Sequence, residues 1–434
     1  MCEHHARHTV DRSTVRGIMT DSAPVRVGLL GLGTVGGDVA RILLSRADEV
    51  EARAGLRIEL ARVAVRDRSK TRAGNVPSSL LTDDAASVVR DPSIDVVVET
   101  IGGVEPAQQL ISDALAAGKH VVTANKELIA LAAAEVMAAA EASQTTVLFE
   151  ASVAGGIPII RPMRESLAGD RVRRVMGIVN GTTNFILTRM SDPGESFEAA
   201  LEEADRLGYT EADPSADVDG HDAASKLAIL ASLAFGGQVV AGDVDREGIR
   251  AVKPEDVAAA HALGYEVKLV AVADIVEEGI AARVHPAMLP RTHPLAAVRN
   301  EFNAVFVEAE EAGELMFLGR GAGGAPTASA VVGDIVDAAR NARSGSRGTG
   351  FPGGRARIRS PGRSAARYYM VLSVDDQPGV LSAVAGVFAR HGVSISSVRQ
   401  EGFGDEATLV LITHSAPEER HAETFDELAH LDGG

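Results

Sequence analysis

The stretch that opens at Val25, VRVGLLGLGTVGGDVARILLSRA, limits the fold more tightly than any other part of the chain. A short apolar run, a glycine turn and apolar residues at helical spacing follow one another directly, which predicts strand, turn and helix in that order. Gly31, Gly33 and Gly36 form G-x-G-x-x-G, with Thr34 and Val35 inside the fingerprint. Small residues there let a backbone approach a pyrophosphate, and the helix N-terminus favours its charge. Glycines also serve ordinary tight turns, so the motif alone says little. Its place after the first apolar strand points to a dinucleotide site. RIELARVAVRD, DVVVETIGG, KHVVTANKELIA and TTVLFEASVAGG continue the alternation of strand with Ala-rich helix. Apolar strands separated by helices predict an α/β, Rossmann-type doubly wound parallel sheet over residues 25–150, covered on both faces.

A chain of 434 residues exceeds what one core usually organises. After Gly155 the rhythm changes to helical DAASKLAILASLAFG followed by strand-like YEVKLVAVADIV and AVFVEAE. This predicts an α+β catalytic and dimerisation domain over 151–320. A helix over 321–340, which contains TASAVVGDIVDAAR, then returns to the nucleotide domain. Residues 341–367 carry seven arginines, no acid and many Gly, Ser and Pro, which reads as a solvated linker rather than an acidic-partner site. From Tyr368 to the end, strand, helix, strand, strand and helix follow. Residues 1–24 read as a flexible tail, so EHHARH is a weak candidate for metal.

The single cysteine, Cys2, excludes an intrachain disulfide framework and suits a cytoplasmic setting. No run approaches the roughly eighteen apolar residues of a membrane helix, so no membrane role is expected. A net charge of -17 argues against nucleic acid as a partner.

The chemistry concentrates in YTEADPSADVDGHDAASK, Tyr209 to Lys226, with five carboxylates and a lysine. Read as an EF-hand, Ser215, Asp217, Asp219 and Gly220 fit the first half, but the position needing a bidentate Glu is Lys226. A cation there excludes that calcium loop. Asp222 and Lys226 are four apart and share a helix face. Such a pair is commonly a surface salt bridge, yet the apolar continuation of the helix argues for burial, where a lysine proton becomes useful. TANKE places Lys126 after a strand of the sheet, where open α/β sheets bind ligands. At the end of ARVAV stands Arg66, which suits a 2′-phosphate and hence NADP, while Asp67 one residue later suits NAD.

GLGTVG, ETIGG, TANKELIA, EASVAGGIPII, GIVNGTTNFIL, LGYTEADPSADVDGHDAASK and GRGAGGAPTASAVVGDI, in that order, resemble homoserine dehydrogenase over about residues 25 to 340. The resemblance implies NAD(P)H-dependent interconversion of L-aspartate 4-semialdehyde and L-homoserine. It makes Lys226 the general acid, Lys126 a second active-site lysine beside the cofactor, and Glu211 and Asp222 the holders of the substrate's amino and hydroxyl groups, with Asp219 in the same acid cluster. Thr100, Gly321 and Gly323 fall where such enzymes contact the cofactor. Asn180, Gly181 and Thr182 fall at the domain junction, in a structural or a contact role. EASVAGGI implies a monovalent cation, usually sodium, on Glu150 and the backbone carbonyls of Val153, Gly155 and Ile157.

The tail from Tyr368 resembles a ferredoxin-like ACT domain, most specifically in DQPGVL. That implies an amino-acid site at Asp376, Gly379 and Val380, L-threonine as effector, and a homo-oligomer, dimer or tetramer. The usual module ends on a strand after its second helix, and none is legible before LAHLDGG. Two competing readings are another ACT-tailed dehydrogenase and a non-catalytic sensor of redox state and amino acid.

Overall fold

The computed structural model describes residues 23–70, 75–192, 194–210, 213–276, 279–347, 350–351, 353–359, 365–402 and 406–431. The tail bearing EHHARH lies outside them.

The first sheet is parallel, with strands β1 (Val25–Leu30), β2 (Ile58–Ala64), β3 (Leu81–Thr82), β4 (Val96–Glu99), β5 (His120–Thr123) and β6 (Val147–Leu148) in the order β3-β2-β1-β4-β5-β6. Every residue of β4 and β5 is buried, as strands covered on both faces must be. The covering helices are α1 (Thr34–Ser45), α2 (Ala47–Ala54), α3 (Ala85–Arg90), α4 (Ala107–Ala116) and α5 (Lys126–Ala142). Because β1 lies between β2 and β4, the strand order reverses beside the glycine turn, which opens a crevice at the carboxyl ends of the strands.

The second sheet is mixed, in the order β12-β11-β7-β9-β10-β8. Its strands are β7 (Val172–Ile178), β8 (Asp245–Arg246), β9 (Tyr265–Val276), β10 (Gly279–Pro290), β11 (Phe302–Ala309) and β12 (Gly313–Arg320). Helices α6 (Gly181–Ser191), α7 (Phe197–Arg206), α8 (Ser215–Val218), α9 (His221–Phe235) and α10 (Pro254–Ala262) belong to this domain. Leu227, Ile229 and Leu230 of α9 share one core with Val175, Leu269 and Val284 of the sheet.

Helix α11 (Gly324–Ser344) returns to the first domain, where Val331, Ile335 and Ala339 join the core of Val27 and Val39. Arg340 ties it there by donating to the Arg53 and Ala54 carbonyls. The helix starts and ends later than the 321–340 read from sequence. Gly323 caps its start, and nothing breaks it until Gly345 turns left-handed at φ 67°.

The linker reading also needs correction. Residues 354–359 lie along the second domain: Gly354 O accepts from Gln238 N–H (2.8 Å), and Arg359 N–H donates to Ile280 O (2.8 Å). Phe351 packs edge-on against Phe149, with ring centres 5.9 Å apart. A segment too poor in apolar residues for a core of its own can still add its backbone to an existing edge.

The C-terminal module has β13 (Ala365–Ala366), β14 (Tyr369–Asp375), α12 (Val380–Arg390), β15 (Ile395–Gly402), β16 (Glu406–Thr413), β17 (Ala416–Pro417) and α13 (Glu418–Ala429). Its main sheet runs β14-β16-β15, closed by Val384, Phe388 and Leu428 from the helices. Among the described residues no further strand pairs with the outer edge of β14.

Candidate active site

The glycine turn is built for close approach. Gly31 has φ 98°, and a Cβ there would sit 2.9 Å from the Thr100 carbonyl oxygen. At Gly36 a Cβ would lie 2.3 Å from the Gly31 carbonyl oxygen, so only glycine lets α1 start this close to β1. Thr100 clamps the turn by donating to the Leu30 and Gly31 carbonyls (3.1 Å each). Gly33 and Thr34 are exposed at the start of α1, and a Cβ at Gly33 would meet nothing within 4 Å. That open space, faced by a helix N-terminus, fits a pyrophosphate. Val35 is half-buried in the same turn. Arg66 is exposed just past the end of β2, whereas Asp67 accepts from the backbone and hydroxyl of Ser69 (2.8 and 2.6 Å). The register of the ribose-recognition end therefore leaves Arg66 the more available of the two.

Beside it, Glu99 is fully buried and accepts from the amides of Ile101 (2.7 Å) and Gly102 (3.0 Å) and the Thr123 hydroxyl (2.5 Å). Asn125 caps α5 by accepting from Leu128 N–H (3.1 Å) and donates to the Gly103 carbonyl (2.6 Å). Together they fix the ends of β4 and β5 and deliver Lys126 at the first position of α5.

Lys126 reaches across the domain junction to Asp222, in the first turn of α9. Asp222 is buried, its side chain 4% exposed, and it gathers three partners. One oxygen pairs with Lys126. The other accepts from Lys226 Nζ (2.8 Å) and Asn180 Nδ2 (2.9 Å). Burial alone would raise its pKa, but the charges of Lys226 and Lys126 outweigh burial and hold it well below the usual carboxylate range. Burial works against the charge on Lys126 too, and the Asp222 carboxylate reverses the effect, so its pKa is raised. Lys226 Nζ also donates to the Val179 carbonyl (2.7 Å). An ammonium has three N–H bonds, so one remains for a ligand.

The sequence places Asn180 at the domain junction, in a structural or a contact role. In the structure it is a contact residue: its side-chain oxygen caps α6 through Thr183 N–H (2.9 Å), while its amide spans Asp217 (2.6 Å) and Asp222. Asp217 is thus the neighbour of the site that sequence reasoning passed over. Its only advance signal was the crowding of acids.

Other expected residues take different places. Asp219 pairs with Arg250 (2.6 Å) near the surface, and among the described residues no hydrogen bond links it to Lys126, Lys226 or Asp222. Glu211 lies outside the described residues. Gly321 is buried, and a Cβ there would overlap the Asn303 amide at 2.0 Å, so only glycine fits; Gly323 is exposed at the start of α11.

The Glu150 carboxylate accepts from the amides of Ile159 (2.6 Å), Ile160 (2.8 Å) and Arg161 (2.9 Å) and so caps the following helical turn. As a carboxylate ligand for a cation it does not fit. The backbone at Ala154 and Gly155 is left-handed, φ 54° and 52°, in an irregular turn where the Ala154 carbonyl accepts from Ile157 N–H (3.0 Å). In the C-terminal module Gly379 turns at φ 103° ahead of α12, which Val380 begins, and Asp376 accepts from Gln400 Nε2 (3.1 Å).

Comparison with known proteins follows the same divisions. A family model described as "Homoserine dehydrogenase" matches residues 158–336, one described as "Homoserine dehydrogenase, NAD binding domain" matches 31–150, and one described as "ACT domain" matches 368–430. A protein named homoserine dehydrogenase from Mycobacterium tuberculosis (strain H37Rv) is 51% identical over 424 residues, 95% of this chain and 96% of that one. The crystal structure of a homoserine dehydrogenase from Thiobacillus denitrificans superposes with a TM-score of 0.89 at 42% identity, covering 95% of this chain and 96% of that chain. A hyperthermophilic archaeal homoserine dehydrogenase in complex with NADPH matches with a TM-score of 0.63 at 30% identity, over 74% of this chain and 98% of that one.

Proposed function

The chain belongs to the homoserine dehydrogenase family of NAD(P)-dependent oxidoreductases, and from that premise we propose how its own residues divide the reduction of L-aspartate 4-semialdehyde to L-homoserine. The observation that carries the reading is Asp222, buried and shared by two lysines.

Bound along the glycine turn, NAD(P)H supplies the hydride that the aldehyde carbon receives. Lys226 directs its remaining N–H at the aldehyde oxygen and gives it the proton, so that carbonyl becomes hydroxyl. In the reverse direction the neutral amine takes that proton back. Asp222 acts as a positioning residue. Three donors meet its two oxygens, so it orients Lys226 and Lys126, and the oxygen facing Lys126 keeps a lone pair for the substrate hydroxyl. Lys126, its side chain 39% exposed, faces the junction where substrate and nicotinamide meet. Glu211 keeps the role that the resemblance gives it, holding the substrate's ammonium, and Asp219 does not share it.

Arg66 favours NADP through the 2′-phosphate, with NAD as the weaker cofactor. A monovalent cation, sodium by the chemistry of hard oxygen donors, takes the carbonyls of Val153, Gly155 and Ile157 without the Glu150 side chain. Asp376, Gly379 and Val380 form the effector turn for L-threonine, the glycine presenting backbone amides to a carboxylate. The family and its ACT module support a homo-oligomer, dimer or tetramer. The setting is cytoplasmic.

Lys226→Ala tests the reading. The variant should fold and bind NADPH normally, while reduction followed at the absorbance of NADPH falls on the order of a hundredfold or more. An undiminished rate would remove Lys226 from proton transfer.

A further inference from the structure

The first two domains are joined by two lengths of chain that touch each other. One leaves β6 through Glu150–Ser152 and the turn at Gly155, and the other leaves β12 at Arg320 and enters α11. Gly156 N–H donates to the Arg320 carbonyl (3.1 Å), and a Cβ at Gly155 would lie 2.5 Å from the Gly321 carbonyl oxygen. Past this crossing α11 begins against α1. A Cβ at Gly324 would sit 2.4 Å from Asp38 Oδ2 and 2.9 Å from Thr34 Cγ2. The angle of the crossing therefore decides where the second domain, with Lys226, stands relative to the cofactor turn that α1 carries.

Among the described residues, ion pairs bridge these domains at two places. One is Lys126 with Asp222, in the cleft. The other is Arg161, whose ion-pair partners take no part in the cleft. Its neighbours Ile159, Ile160 and Met163 belong to the core of the second domain, whereas Asp334 and Asp337 stand on α11, whose Val331 and Ile335 belong to the core of the first. The Arg161 guanidinium meets Asp334 (3.0 Å) and Asp337 (2.8 Å) together. The Asp334 side chain is 3% exposed, and its other oxygen accepts from Glu150 N–H (2.7 Å), on the first length of chain. The Glu150 carboxylate in turn holds the amides of Ile159, Ile160 and Arg161. Helix α11, the crossing and the first turn of the second domain are thus closed into one circuit of hydrogen bonds. Burial first, and then the Glu150 carboxylate, push the pKa of Asp334 up to about 7, but Asp337 meets the same guanidinium, so the bridge does not depend on Asp334 alone.

We propose that Arg161 is a positioning residue for hydride transfer: through Asp334 and Asp337 it sets the angle between the domains at which substrate and nicotinamide meet. A planar guanidinium shared by two carboxylates fixes direction as well as distance. Misplacing reacting atoms by about 1 Å can cost on the order of a hundredfold in rate, even when the change lies far from the chemistry. The proposal rests on hydride transfer at the domain junction and not on which lysine gives the proton, so the outcome of Lys226→Ala leaves it standing.

Single-turnover oxidation of NADPH by L-aspartate 4-semialdehyde, with the full chain, tests it alongside the Kd for NADPH. Arg161→Met keeps the length of the side chain and removes its charge. Its Kd for NADPH should stay within about twofold of the parent, because the glycine turn lies in the first domain, while the single-turnover rate falls about tenfold or more. Arg161→Lys keeps the charge and should recover most of the rate. The double variant Asp334→Asn, Asp337→Asn keeps the side-chain shapes and the acceptor for Glu150 N–H, and should show the same loss of rate; it carries the test if Arg161→Met does not fold. A merely structural role would lower the melting temperature and leave the single-turnover rate of the folded protein unchanged. That result, or NADPH affinity lost in the same proportion as the rate, would overturn the assignment.

Discussion

Two residues with the same formal charge have opposite work in this site, and burial explains the difference. The side chain of Lys226 is 11% exposed and spends two N–H bonds on Asp222 and Val179, so its position is set before any substrate arrives. Arg66 stands in solvent beyond β2, where a guanidinium offers a planar fork to a phosphate. Arg66→Ala should therefore raise the KM for NADPH by about tenfold or more and leave the KM for NADH nearly unchanged, measured with both cofactors at saturating substrate. Equal losses with both would show that Arg66 does not read the 2′-phosphate. The acid cluster separates by the same logic: Asp222 is legible as functional because it lies four residues from a lysine on an apolar helix, whereas the pairing of Asp219 with Arg250 joins residues far apart in the chain and leaves no local trace.

The strand-turn-helix unit at the start of the first sheet depends on contacts closer than any side chain permits. A Cβ at Gly36 would also lie 2.7 Å from Thr100 Oγ1, the hydroxyl that clamps the turn. Gly36→Ala should destabilise the fold by about 1–3 kcal/mol through overpacking, and push α1 away from Thr100 so that NADPH binding weakens as well. Urea unfolding with and without NADPH measures both. A variant as stable as the parent with unchanged affinity would show that the turn has slack. Element boundaries follow local signals where caps are strong, as at Asn125 and Asn180, whose side-chain oxygens meet the amides of Leu128 and Thr183. They drift where a cap depends on the surroundings, as at α11, which continues to Ser344 against the first domain.

Across the whole molecule the C-terminal module is fastened to the second domain by the ion pair of Arg283 and Glu418, each side chain 18% exposed. The next residue, Val284, accepts from Glu247 N–H (2.7 Å), and Ile249 N–H donates to Val218 O (2.8 Å), so the strand that carries Arg283 also braces the turn below Asp222. Glu418→Arg or Arg283→Glu alone should lower the melting temperature by leaving a half-buried charge unpaired. The double exchange should recover most of the loss, a coupling on the order of 1 kcal/mol or more. Additive losses in the double variant would mean that the two side chains do not interact in solution.

The sequence by itself determined the fold class, the cofactor fingerprint and the lysines, because each is written in residues close together: apolar strands, a glycine spacing, an acid and a lysine on one helix face. It also located the returning helix, whose small apolar face had to pack on something. Tertiary structure alone decided which atoms meet. Lys126 and Asp222 are 96 residues apart and meet across the domain junction, whereas Asn180 and Asp222, 42 apart, meet by the packing of α6 and α9 within the second domain. The docking of residues 354–359 and the work of Glu150 as a cap belong to the same class. Both are settled by hydrogen bonds between backbone and partners that local composition does not encode.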